Sequence, residues 1–300
     1  MGKIITMPTT PNFSKSNFRL RRTIGVASSP YTGSVRTQEY DGVYWEAEVS
    51  LPPMRRETAL EWQSFLLNLN GSINTFKFSD PDALNPRGTM TGEFRGDQRV
   101  NVTSATLSFT ASTNTIAGAS NTTYFNTVLV GDYIMITGSV NVDNNGSHKV
   151  LTKPNAYTIT VSPQKTDNLV DESNKAGCQI RVNVKGCTGL TLKADSNSAT
   201  GTLLKGDYLA ISDSTTKSET GYTPVQYVMV TEDATLNVNS GADTYGVQIQ
   251  PKLRATLTGA TNYIYHSPAK GLFRLTNNAA EWSADNISNY GISFSCIEVV

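Results

Sequence analysis

The side chains in this 300-residue chain best suited to chemistry are two histidines, three cysteines and a few aspartates, and their spacing limits what they can do. His148 and His266 stand alone. Neither has a cysteine or a carboxylate pair at metal-ligand spacing, so no zinc site or histidine-assisted nucleophile is expected, and both read as ordinary strand-end residues. Cys178, Cys187 and Cys296 are odd in number and lack ligand spacing, which predicts reduced thiols, with a Cys178 to Cys187 bridge as the alternative. Asn141-x-Asp143-x-Asn145-Gly146 imitates the start of a calcium loop, but Thr152 occupies the twelfth position where a bidentate glutamate is required. The same residues make a hairpin turn. Asp80, Asp82 and Asp97 have the residue type for paired-carboxylate work on glycosides, yet Asp80-Pro81-Asp82 is more simply a turn. The expectation is a protein that is not an enzyme and holds no metal or cofactor.

Arg19, Arg21 and Arg22, with Lys15 nearby, form the one clear basic cluster, and Phe18 and Leu20 alternate with them as on an edge strand. One reading is a phosphate-contacting arm. The other is a solvated face, or arginines that pair with acids across a subunit contact, and the balance of 25 basic and 25 acidic side chains favours it because no whole-molecule field draws nucleic acid. No apolar run approaches the roughly 20 residues that span a bilayer, so no membrane anchor is expected, and no signal-peptide core follows Lys3. Met1-Gly2-Lys3-Ile4-Ile5-Thr6 matches only a loose myristoylation pattern.

The elements that must position these residues are mainly β. Charged residues are only 17% of the chain while Ser, Thr, Asn and Gly abound, a balance that favours short strands and polar turns. Gly42 to Leu51 alternates, with Val43, Trp45, Ala47, Val49 and Leu51 on one face. Pro52 and Pro53 stop that strand. From about Arg55 the period becomes helical, placing Ala59, Trp62, Phe65, Leu66 and Leu69 on one side, and Asn70-Gly71 ends the helix before Phe76 and Phe78 return to strand. From about Gly96 to Pro268 Thr- and Val-rich strands follow one another without a helix and without a tryptophan. Phe273 with Leu275, then Ile292, Phe294 and Cys296, restore aromatic strands expected to pair back with the N-terminal unit.

This pattern predicts a β-sandwich belt domain with one helix, residues 1–95 plus 269–300, interrupted by an all-β insertion over 96–268. The expected belt core is Trp45, Trp62, Phe65, Phe76, Phe78, Phe273 and Phe294. Within the insertion Val130-Gly131-Asp132-Tyr133-Ile134-Met135-Ile136 echoes Lys205-Gly206-Asp207-Tyr208-Leu209-Ala210-Ile211, so two β units, about 96–185 and 186–268, are expected, with true duplication left open.

Three runs carry a resemblance: Ser29-Pro30-Tyr31-Thr32-Gly33, then Trp45-Glu46-Ala47-Glu48-Val49-Ser50-Leu51-Pro52-Pro53-Met54, then Trp62 with Phe65-Leu66 and Asn70-Gly71. Leu204 to Leu209, Gln250 to Arg254 and Gly271 to Leu275 supply later blocks in the same order. Together they resemble the distal tail proteins of long-tailed bacteriophages. The resemblance implies a belt domain assembled six to a ring in the virion tail tip, built in the host cytoplasm. It also implies an outer β domain of galectin or oligonucleotide-and-oligosaccharide-binding type. In such a baseplate the ring joins the tail tube protein to the hub protein around a channel for the tape-measure protein. The expected function is therefore a hexameric structural adaptor with no specific nucleic acid partner. The competing class is a carbohydrate-binding or host-adhesion module, for which Tyr133, Tyr157, Tyr208, Tyr222 and Tyr245 in the insertion would be the aromatic platform.

Overall fold

The computed structural model describes residues 2–195, 199–213, 222–238, 244–258, 262–285 and 289–300. The chain is mainly β, and among the described residues it contains one α-helix. It divides into two compact units, one of Met1–Leu84, Thr223–Tyr227 and Pro268–Val300, the other of Asn85–Tyr222 and Val228–Ser267.

The first unit begins with β1 (Lys15–Arg21), the hairpin β2 (Ile24–Ser28) and β3 (Val35–Glu39), and β4 (Tyr44–Ser50). Helix α1 (Arg56–Asn68) and β5 (Phe76–Phe78) follow. The helix lacks a side-chain N-cap at Arg55, so its stability comes from burying Ala59, Trp62, Phe65 and Leu66 rather than from local capping. Asn70 and Gly71 both take left-handed backbone, φ 50° and 66°, and end it where the sequence places the stop.

The second unit supplies β6 (Phe94–Gly96), β7 (Asn101–Thr110), β8 (Thr115–Gly118), β9 (Tyr133–Thr137), β10 (Gly146–Asn155), β11 (Thr158–Pro163) and β12 (Glu172–Val182). It continues with β13 (Gly189–Ala194), β14 (Ala199–Leu203), β15 (Tyr208–Ser212), β16 (Pro224–Val230, of which Pro224 to Tyr227 belong to the first unit), β17 (Ala234–Val238), β18 (Thr244–Gln250) and β19 (Tyr263–Tyr265). The chain then returns to the first unit for β20 (Gly271–Leu275), β21 (Ser283–Ala284), β22 (Tyr290–Gly291) and β23 (Ser293–Glu298).

The belt sheet has the order β1-β4-β23-β20-β5, all antiparallel, so the C-terminal strands lie between the N-terminal ones. Register puts Phe18, Trp45, Ala47, Val49, Phe294, Cys296, Phe273, Leu275, Phe76 and Phe78 on one face, because directly opposed residues share a side of the pleat. Helix α1 lies over that face: Phe65 meets Phe76 edge-on at 5.4 Å, and Trp62 lies 6.3 Å from Phe294. Trp45, Trp62, Phe65, Phe76, Phe78 and Phe273 are all buried, while Phe294 is half-buried. Each fully buried aromatic of this kind contributes about 1.5 to 3 kcal/mol.

Two borders differ from the sequence expectation. The belt ends at Leu84 rather than 95, because β6 pairs with β13 and β19 inside the second unit. Thr223–Tyr227, expected in the insertion, belongs to the belt. The cause is Glu298, whose carboxylate sits on the apolar face only 2% exposed and accepts the backbone N–H groups of Trp45 at 3.2 Å and Tyr227 at 2.8 Å. The Trp45 indole N–H donates to the Tyr227 carbonyl at 2.8 Å.

The second unit contains two closed six-stranded barrels, ordered β10-β11-β8-β7-β12-β9 and β13-β18-β16-β15-β19-β6. Each encloses its own apolar core, the former around Leu107, Ile134 and Ile180, the latter around Leu192, Leu209 and Val228. When the strands of each barrel are numbered along the chain, both rings read 1-2-5-4-3-6. The two barrels therefore share one topology. The echoed sequences fall on equivalent strands, β9 and β15, and the turns before them match bond for bond. Asp132 Oδ2 accepts the Leu129 N–H at 2.7 Å and Asp207 Oδ2 accepts the Leu204 N–H at 2.8 Å. Gly131 donates to the Val150 carbonyl and Gly206 to the Val230 carbonyl, each at 2.8 Å. Both glycines take positive φ, 93° and 95°.

These barrels are nested, not consecutive as 96–185 and 186–268 would have them. β6 is the opening strand of the later barrel, and β7 to β12 are inserted between it and β13. Asn183 stitches this junction. It is fully buried at φ 51°, its Nδ2 donates to the carbonyls of Asp97 (2.7 Å) and Thr191 (2.6 Å), and its Oδ1 accepts the Thr191 N–H at 2.8 Å.

Candidate assembly surface

Of the candidate contact arginines, Arg19 and Arg21 lie on the belt face opposite the aromatics, and Arg22 follows the end of β1. Arg19 grips Glu46 through Nε at 3.2 Å and a terminal nitrogen at 3.0 Å, and reaches Glu48 at 2.8 Å. Arg21 adds a bond to Glu46 at 3.3 Å, and Arg22 pairs with Glu39 at 3.2 Å. The Arg19 guanidinium, by hydrogen bonding, holds the Glu46 carboxyl below its usual range, and Glu46 in turn raises Arg19. All three arginines thus have acidic partners inside the chain. Such half-exposed pairs fix the register of β1 more than they add stability.

Two other features of the belt are open. β1 is an edge strand, and among the described residues no strand pairs with its outer side. Beyond it the hairpin β2–β3 forms a separate two-stranded ribbon. Its register places Ile24, Val26 and Val35 on one face, and they are 49%, 66% and 59% exposed. At the tip Tyr31 is 95% exposed. An isolated two-stranded ribbon is marginally stable at best in water, and a β-branched face gains nothing unless a second layer covers it. The sequence reading missed this ribbon. Its signal was present in the alternation of Ile24-Gly25-Val26 and Val35-Arg36-Thr37 around the Ser29 to Ser34 turn.

The insertion's polar residues serve its architecture. The loop between β9 and β10 is longer than the two-residue turn expected at Asn145-Gly146, and Glu172 organises it. That carboxylate accepts the Ser139 hydroxyl, the N–H groups of Val140 at 3.0 Å and Asn141 at 3.3 Å, and Asn144 Nδ2 at 3.1 Å. Burial pushes Glu172 up, but these donors outweigh it and the net displacement is downward. In the calcium-like stretch Asn141 accepts from the Asp143 N–H at 3.2 Å and Asp143 faces Lys165 at 3.6 Å, as a turn requires. Among the described residues no group of three or more His, Cys, Asp or Glu side chains could hold a metal ion.

His148 is a correction to the strand-end reading. It lies inside its barrel, 1% exposed, with Nε2 3.0 Å from the Asn144 carbonyl and Nδ1 without a partner, and burial lowers its pKa to about 4. His266 Nε2 meets the Gly92 carbonyl at 3.0 Å. Asp80 caps a short turn by accepting the Asp82 N–H, and Asp97 is taken up by Arg99 at 3.1 Å. Arg99 also pairs with Asp132, whose burial nonetheless raises its pKa to about 6. All three cysteines are free thiols and buried, and burial pushes Cys187 up to about 12. No Cys178 to Cys187 bridge is present.

Three of the five tyrosines expected as an aromatic platform are buried. Tyr133, Tyr208 and Tyr222 are 1%, 7% and 2% exposed, Tyr157 is half-buried, and the side chain of Tyr245 lies outside the described residues. Tyr222 stacks on Tyr265 at 3.8 Å. Tyr133 seats its ring where Gly189 and Gly246 of the later barrel lack side chains, and a Cβ at either would collide with it. Its hydroxyl donates to Glu232, which Lys149 also engages at 2.6 Å. Tyr133 is therefore a key between the two barrels.

No protein-family model matches this chain, and a search of curated proteins finds no relative. Among the described residues no helix is long and apolar enough to cross a membrane.

Proposed function

We propose that this chain is a structural protein of a bacteriophage-type tail tip, a distal tail protein whose belt assembles head to tail into a closed, six-fold ring. In this reading the ring joins the tail tube to the baseplate hub and surrounds the channel of the tape-measure protein. The nested barrels are, in this reading, the decorating domain of the virion. No cofactor, membrane anchor, specific nucleic acid or catalytic step is involved.

The observation that carries the reading is the exposed ribbon β2–β3 together with the open edge of β1, which precedes it in the chain. A heterologous contact requires two different patches on one subunit and closes into a ring when its rotation fits. A ribbon face with exposed Ile24, Val26 and Val35 among Ser28, Thr37 and Glu39, and an unpaired strand edge on the same unit, are features of that kind. The arginine ladder fits the same role, since ion pairs already satisfied within the subunit leave the strand edge rigid and correctly registered. The adhesion reading has less to rest on, since Tyr133, Tyr208 and Tyr222 of its five tyrosines are buried.

The test is a double substitution, Val26→Asp with Val35→Asp, on the full chain. Neither side chain is in a core, so circular dichroism and thermal melting stay close to wild type while sedimentation shows the assembly falling to monomer. An assembly unchanged by two buried charges would reject the ribbon as the contact.

A further inference from the structure

The belt holds a cleft that the ring reading does not use. β20 stops at Leu275, opposite Cys296, so the start of β23, paired with β4 on one side, has no strand on the other. A cavity of about 320 Å³ occupies that place. Its floor includes Leu66 and Phe294, and its walls Glu48, Thr276, Glu281 and Ser295.

Three properties define what fits there. The first is an open strand edge. The Ile292 carbonyl accepts the Leu51 N–H at 2.9 Å on the β4 side, while the Ser295 carbonyl accepts the Thr276 N–H at 3.0 Å and hydroxyl at 3.2 Å on the other side. Alternation therefore turns the N–H and C=O of Ser293 toward the cleft. Because Thr276 already takes the Ser295 carbonyl, an added strand pairs at Ser293, and its neighbours on either side extend along the cleft. The second is charge. Glu48 uses one oxygen on Arg19, Glu281 is exposed, and no lysine or arginine lines the cleft. The third is an apolar floor of Leu66 and Phe294 on the helix side of the sheet, the face opposite Glu48, so successive residues of an added strand meet the carboxylates and the floor in turn.

We propose that this cleft binds an extended segment of a partner protein, which pairs with the Ser293 edge of β23 and places a lysine or arginine between Glu48 and Glu281. This is strand addition with a side-chain pocket for specificity. The inference is independent of the ring reading, because the cleft lies within one subunit.

The experiment is an amide-resolved NMR titration of the full chain with three blocked tripeptides, Val-Arg-Val, Val-Lys-Val and Val-Glu-Val. The Arg and Lys peptides are expected to shift the amides of Ser293, Ser295 and Thr276 saturably, at concentrations up to about 10 mM given so small an interface. The Glu peptide should leave them in place. Glu281→Gln, at an exposed position that leaves the fold intact, should weaken the basic peptides about tenfold, and added salt should weaken them too. Three results would overturn the proposal: equal shifts from the Glu peptide, no shift from any peptide, or broadening of the same amides with protein concentration alone. The last would make a second copy the occupant.

Discussion

Replacing Asn183 probes the nested architecture at one side chain. Asn183→Gly removes the amide while keeping a residue that tolerates φ 51° without strain. Three hydrogen bonds are lost. The Thr191 carbonyl keeps a partner, since the Asp97 N–H also donates to it at 2.9 Å, so the full penalty falls on the Asp97 carbonyl and the Thr191 N–H. Each buried group left without a partner costs about 1 to 3 kcal/mol, giving about 2 to 6 kcal/mol for the variant. Because the chain has several cores, the loss is best read locally, by hydrogen exchange at the Thr191 and Leu257 amides, with urea unfolding as the global measure. Faster exchange at these amides, by a factor of about 30 or more, is the expected result. Exchange at the junction within a factor of two or so of wild type, at a scale of about 0.4 kcal/mol, would refute the assignment of Asn183 as the stitch.

Further outcomes follow from the same structure. Replacing residues 99–182 by a short Gly/Ser linker should leave the belt and the later barrel folded, since Asp97 and Asn183 are hydrogen-bonded neighbours and loop closure costs grow only logarithmically; insolubility of that protein would count against nesting. Trp62→Ala should cost about 3 to 5 kcal/mol in urea unfolding, because the indole is 1% exposed between Phe13 and Phe65. Acid sensitivity should separate two buried groups. Below 6.5 the unfolded chain takes up a proton that His148 refuses until about 4, so its contribution falls as pH drops; Asp132, raised to about 6, keeps a proton the unfolded chain has lost, so its contribution falls as pH rises from 3.8 to 6. Each amounts to about 3 kcal/mol and they nearly offset in wild type, so between pH 4 and 6 the urea midpoint of Asp132→Asn should rise with pH more steeply than that of His148→Gln, and equal slopes would contradict the burial of both.

Local pattern made much of the belt legible. The alternation around Trp45, the helical period through Trp62 and the Asn70-Gly71 stop each describe an element whose neighbours in space are neighbours in sequence. The late strands around Phe273 and Phe294 could be read as strands, and their pairing followed from aromatic content. What stayed hidden depends on long-range placement. Nesting leaves no mark on composition, because β6 and β13 look the same whether or not a barrel separates them. Glu298 reads as a surface residue near the C-terminal end until the sheet buries it against Trp45 and Tyr227. Asn183 resembles any loop asparagine. Arg19 and Arg21 were legible as an edge-strand face, but their partners Glu46 and Glu48 emerge only from the β1 to β4 register. The ribbon β2–β3 could have been found from alternation around its turn.

The ring itself is the claim most directly open to measurement. Native mass spectrometry of the purified full chain, with negative-stain class averages of the same sample, should give a closed assembly of six copies around a central opening. A strictly monomeric mass at high concentration, with no ring in the images, would contradict the account.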